Sequence, residues 1–108
     1  REPSWYAKQA MNGRPPIQGM VEAEFVFVFP APKSGLSKDE REVIAAGHLL
    51  RYIKINRDLD NLQKLYADSL NGIVFADDRL IAESHLRKFI GREPRTIISI
   101  TELGQEVK

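Results

Sequence analysis

Residues 21–29, Val-Glu-Ala-Glu-Phe-Val-Phe-Val-Phe, constrain the fold more than any other stretch of this 108-residue chain. On a strand, Val21, Ala23, Phe25, Phe27 and Phe29 share one face, and Glu22, Glu24, Val26 and Val28 share the other. The first half alternates apolar and polar. The second half is apolar on both faces, which predicts a central strand covered on each side. Pro30 and Pro32 end it, because proline cannot donate to a ladder. Two other stretches read as strands. In Arg79 to Phe89, Leu80, Ala82, Ser84 and Leu86 lie on one face, and Ile81, Glu83, His85, Arg87 and Phe89 on the other. Arg95 to Leu103 is rich in β-branched residues, including Thr96, Ile97, Ile98, Ile100 and Thr101.

Helical spacing fills much of the remainder. Over residues 60–71, Leu62, Leu65, Tyr66, Ser69, Leu70 and Ile73 form one apolar stripe. Asp60 with Gln63 reads as the N-cap and its N3 partner, and Asn71-Gly72 as the stop. Ser37 with Glu40 resembles a capping box opening a short helix over 38–46, with Gly47 ending it. Residues 5–11 read as the tail of a longer helix, stopped by Asn12-Gly13 and Pro15-Pro16. The order α-β-(α)-α-β-β predicts a small α+β layer pair, one domain over residues 1–108.

Several function classes drop out. Cysteine is absent, so no thiolate nucleophile, zinc-thiolate site or disulfide framework exists, which fits a cytoplasmic protein. The longest apolar run falls far short of the ~20 residues a membrane span needs. Lys plus Arg total 16 against 15 for Asp plus Glu, a balance that argues against a purely electrostatic nucleic-acid binder.

The chemistry concentrates in Asn56-Arg57-Asp58-Leu59-Asp60-Asn61-Leu62-Gln63-Lys64. In an extended segment, Asp58 and Asp60 point the same way, just ahead of a helix. Asp77-Asp78 adds a second acidic pair on a turn. Carboxylates clustered without His or Cys suit a hard cation such as Mg²⁺, with Mn²⁺ as a substitute. Lys64, one turn after Asp60, could contact a phosphate or stabilise developing charge. Plainer readings stand beside these: Asp60 as a helix cap paired with Lys64 at i+4, and Asp77-Asp78 as a surface turn. An EF-hand starting at Asp58 fails, because Gln63 and Ser69 stand where Gly and Glu are required.

Asp58-Leu59-Asp60-Asn61-Leu62-Gln63-Lys64, then Ala67-Asp68-Ser69-Leu70-Asn71-Gly72, then Phe75-Ala76-Asp77-Asp78 resemble, in order and spacing, the signature of the RusA-type Holliday junction resolvases. The similarity runs over roughly residues 20–104. It implies a RusA-like mixed sheet packed by helices and a divalent-metal-dependent endodeoxyribonuclease. Such enzymes are homodimers, often prophage-carried, that nick four-way DNA junctions in recombination and repair. The family's essential aspartates fall on Asp58, Asp60 and Asp78, and its functional lysine on Lys64. Family members begin with a strand and a basic loop that nothing here matches, so the resemblance predicts a missing N-terminal strand and an exposed sheet edge.

Arg51, Lys54 and Arg57 lead into the acidic motif, and Arg79, Arg87 and Lys88 follow it, as candidate DNA-phosphate contacts. A solvated surface or a protein partner for Arg87 is the alternative. His48 and His85 are not needed as ligands where carboxylates suffice, and Phe89 is a candidate wedge against bases. Two further function classes stay open: a junction-binding module that does not cut, and a protein-interaction domain.

Overall fold

The computed structural model describes residues 2–51 and 58–104. Strand β1 (Val21–Pro30) occupies the centre of a three-stranded sheet of order β2-β1-β3. It pairs in parallel with β2 (Ile81–Gly91) and antiparallel with β3 (Arg95–Glu102). The central place inferred from its two-sided apolar half is therefore met. Along β1, Val21, Ala23, Phe25 and Phe27 are buried on one face, and Val28 is buried on the other.

Helices α1 (Pro3–Met11) and α3 (Leu59–Leu70) cover the Phe25 face. Ala7 and Met11 of α1 pack with Val21, Leu70, Val74 and Phe75. Leu59, Leu62 and Tyr66 of α3 pack on Ala23, Phe25 and Phe27, beside Leu86, Ile98 and Ile100 of the flanking strands. Phe25, Phe75, Val21 and Ile90 are the largest fully buried side chains, each worth about 1.5–3 kcal/mol by burial. Thr96 Oγ1 donates to Tyr66 Oη at 2.9 Å, tying β3 to α3. Helix α2 (Lys38–Ala45) packs against β2. The chain beyond it brings Leu49 near Val28 and Gly91 and bridges Leu50 to Ile90.

The end signals work as local chemistry requires. Ser37 and Glu40 form a full capping box, with bonds of 3.1 and 2.8 Å. After α2, Gly47 takes a left-handed φ of 95°. Its N–H then reaches Ile44 O, and that of His48 reaches Val43 O, satisfying carbonyls of the last turn.

Residues 5–11 form the C-terminal part of α1, which starts at Pro3, in the first turn, where a missing N–H breaks no helical bond. Two expectations are corrected. The N-cap of α3 is Asp58 rather than Asp60, so Asp60 already lies inside the helix. The buried stripe of α3 is rotated away from Leu65, which is 62% exposed, toward Ala67, which is 3% exposed. A small residue at the contact lets helix and sheet approach closely.

The faces of β2 also depart from simple alternation. Val21 pairs with Ile81 but Glu22 pairs with Glu83, leaving Ala82 bulged out of register. The bulge reverses the phase, so Ile81 joins Leu86 on the α3 face instead of opposing it. Strand β3 has no second neighbour in the sheet among the described residues. A mostly apolar groove of about 1280 Å³ runs between it, α1 and α3.

Candidate metal centre

The sequence Asp58-Leu-Asp60 places two carboxylates at the opening of α3. Asp58 is extended, with φ −80° and ψ 116°, and its Oδ1 accepts from the Asp60 N–H at 2.9 Å. This satisfies one of the helix's unpaired first-turn donors. Asp60 follows in the first helical turn, where negative charge is favoured by the helix dipole. The two side chains thus leave different backbone conformations, and the shared direction expected of an extended pair does not apply.

Asp60, Gln63, Lys64 and Ala67 share one flank of α3 through their i, i+3, i+4 and i+7 spacing. They form one wall of a cleft of about 290 Å³; Asp78, Ile81 and Ser84 form the other. Asp78 opens a single 3₁₀ turn (Asp78–Leu80) that leads into β2. Asp77 caps this turn, its Oδ1 accepting from the Arg79 N–H at 2.9 Å. The expected surface turn is present, and it also delivers Asp78 to the flank of α3.

The Asp78 carboxyl titrates above the ordinary aspartate value of 3.8. Partial burial is the first cause. The carboxyl groups of Asp77 and Asp68 come next, within side-chain hydrogen-bonding reach and of like charge. Asp68 was not singled out in the sequence. Its i+8 spacing from Asp60, through Lys64, was the available signal.

Among the described residues, no three His, Cys, Asp or Glu side chains are gathered to hold a metal by themselves. The cleft contains Asp60 and Asp78, not Asp58. Two carboxylates in an open cleft still match Mg²⁺, which keeps several waters and binds through one or two carboxylates plus substrate phosphate. The crowding that raises the Asp78 pKa is what a divalent cation would relieve. The residues present fit the ion. The larger groove beside β3 contains no aspartate.

The basic residues disperse. Arg79 is exposed, next to Asp78. Arg87 lies on the opposite sheet face and pairs with Glu24 at 3.6 Å, a protein partner rather than an open position. Its neighbour His85 stands 4.0 Å from Glu22. Arg51 lies over the Phe89 ring, 5.8 Å from its centroid, also away from the cleft. Lys88 is half-buried at the register position of Phe27. Lys54 and Arg57 lie outside the described residues. No helix among the described residues is long and apolar enough to cross a membrane.

Comparison with known proteins places this geometry in context. The family model described as endodeoxyribonuclease RusA matches residues 1–101. An uncharacterized protein of Bacillus subtilis strain 168, YqaN, is 31% identical over 88 residues. That alignment covers 82% of this chain and 61% of YqaN. No solved structure gives a significant match.

Proposed function

The chain belongs to the RusA endodeoxyribonuclease family, and from that premise we propose that it is a Mg²⁺-dependent nuclease resolving four-way DNA junctions. The observation that carries the reading is the meeting of Asp60 and Lys64 from α3 with Asp78 from the 3₁₀ turn in one cleft. Asp60 and Lys64 come from the first part of the family motif, and Asp78 comes from the last, beyond the end of α3.

In this reading Asp58, Asp60 and Asp78 hold the metal. Asp58 has one carboxylate oxygen bound to the helix N-terminus and offers the other. Held there, Mg²⁺ would supply Lewis acidity to activate water and offset charge on the attacked phosphate. Lys64 lies on the same cleft wall as Asp60 and stabilises negative charge at the phosphate oxygens. Arg79, next to Asp78 in the chain, is a candidate for positioning the DNA backbone. Arg51, Arg87 and Lys88 would serve phosphates away from the cleft, and Lys54 and Arg57 are further candidates on the sequence alone. A homodimer would present two such clefts to a two-fold junction. The setting we propose is the cytoplasm of a bacterium, with the protein encoded by host or phage and acting in recombination and repair.

The test is cleavage of a synthetic four-way junction and of linear duplex in Mg²⁺, by the wild type and Asp60→Asn. Junction-selective nicking lost in Asp60→Asn is expected. Equal nicking by both proteins overturns the site. Salt-dependent junction binding without cleavage in either Mg²⁺ or Mn²⁺ would favour the non-cutting binder instead.

A further inference from the structure

Ser84 is exposed on β2, yet its side chain is tied to a helix: Gln63 Nε2 donates to Ser84 Oγ at 2.7 Å. Both residues line the cleft with Asp60, Lys64 and Asp78. Gln63 stands one turn after Asp60 and directly before Lys64. Ser84 stands six residues after Asp78, just past the bulge at Ala82.

That bulge matters to the placement. Ile81 and Ser84 are three apart and would occupy opposite faces of a regular strand. With Ala82 out of register, both turn toward α3, Ser84 opposite buried Ala23 and Ile81 opposite Val21. Bulges re-aim side chains in this way beside active sites. The consequence is mechanical. Asp60 rides on α3 and Asp78 on the turn that opens β2, so their separation depends on how these elements are held together. The Gln63–Ser84 bond joins them at the cleft itself.

We propose that Gln63 and Ser84 form a latch that fixes the separation of Asp60 and Asp78 and thereby sets the affinity of the cleft for a divalent cation. The proposal rests on reading the cleft as a metal site. Both are positioning residues, acting through the two carboxylates rather than on the phosphate. Groups that orient metal ligands typically change metal affinity about 10–100-fold when removed.

The experiment is calorimetric titration of Mn²⁺ into the full chain without DNA, with melting temperatures measured in parallel. Ser84→Ala and Gln63→Ala are each expected to weaken Mn²⁺ binding by about 10-fold or more. Ser84→Thr retains the hydroxyl acceptor and is expected to bind as the wild type does. The double variant is expected to be no weaker than either single one, because both remove the same bond. Asp60→Asn is the reference. If it loses binding while Ser84→Ala and Gln63→Ala keep it, the latch is overturned and the metal site stands. If Asp60→Asn binds like the wild type, the site reading falls and takes the latch with it. If Ser84→Thr loses as much affinity as Ser84→Ala at an unchanged melting temperature, the hydroxyl bond is not the cause and the latch is again overturned.

Discussion

Asp58 carries two assignments that one pair of substitutions separates. Its Oδ1 caps α3 through the 2.9 Å bond from the Asp60 N–H, and it is one of the three proposed metal-binding carboxylates. Asp58→Ala removes both the acceptor and the charge, and loss of such a cap costs about 1 kcal/mol. In a domain of this size that lowers the melting temperature by roughly 4–8 °C. Asp58→Asn keeps an acceptor of equal capping quality. It loses only the charge–dipole contribution, about 0.3–1 kcal/mol at an exposed helix start. The expected order of stability is wild type, then Asp58→Asn, then Asp58→Ala. Activity should follow a different order. Both variants lose the carboxylate, so both should lose junction cleavage, by about 100-fold or more if a direct ligand matters at least as much as its supports. Thermal melting and a junction-nicking assay on the same preparations read the two effects. Wild-type cleavage by Asp58→Asn would refute the metal role and leave Asp58 as a cap alone. Equal melting temperatures for Asn and Ala would refute the cap as the source of stability.

Two further outcomes follow from the structure. Because burial and the neighbouring Asp77 and Asp68 raise the Asp78 pKa, the folded state binds the proton more tightly than the unfolded chain does. The stabilisation this gives is complete below about pH 3.8 and lost as pH rises through the folded value. Asp78→Asn should therefore melt higher than wild type at neutral pH in metal-free buffer, by less than about 1 kcal/mol given solvent screening. The gain should shrink toward acid pH in a melting series, and a constant gain across that series would contradict the cause given. At Gly91, an added Cβ would lie 2.9 Å from Val28 Cγ1 and 3.0 Å from Leu49 Cδ2. Val28 is β-branched and buried and cannot turn aside, so Gly91→Ala should cost about 1–3 kcal/mol in denaturant unfolding. Adding Val28→Ala should recover part of that loss, and an unchanged midpoint for Gly91→Ala alone would show that the contact is slack.

Much of the fold was legible because its signals are local. The capping box at Ser37 and Glu40, the stop at Gly47 and the two-sided apolar half of β1 each depend on residues within a turn or two. The candidate site is legible as a set of residue types: Asp58, Asp60, Lys64, Asp77 and Asp78 stand out by spacing and order. Their arrangement was not. The one-residue difference between Asp60 and Asp58 as N-cap decides whether Asp60 projects from an extended segment or a helical turn. Spacing allowed both, because each residue is a good cap. The buried stripe of α3 departs from Leu65 for a related reason: six apolar or small positions cover more of the helix than the sheet can bury.

The sequence by itself determined the order and kind of the elements and the acidic motif, since strand alternation, helix spacing and end signals act over a few residues. Tertiary structure decided what those residues face. The bulge at Ala82 exists only once β2 pairs with β1, some 60 residues away, and it brings Ile81 to the same face as Ser84, which the pairing sets opposite Ala23 and toward Gln63. The same pairing brings Arg87 to Glu24, and the docking of the 3₁₀ turn on α3 sets Asp78 against Asp68. Register and docking are long-range outcomes of burying Phe25 and Phe75, and no local spacing encodes them.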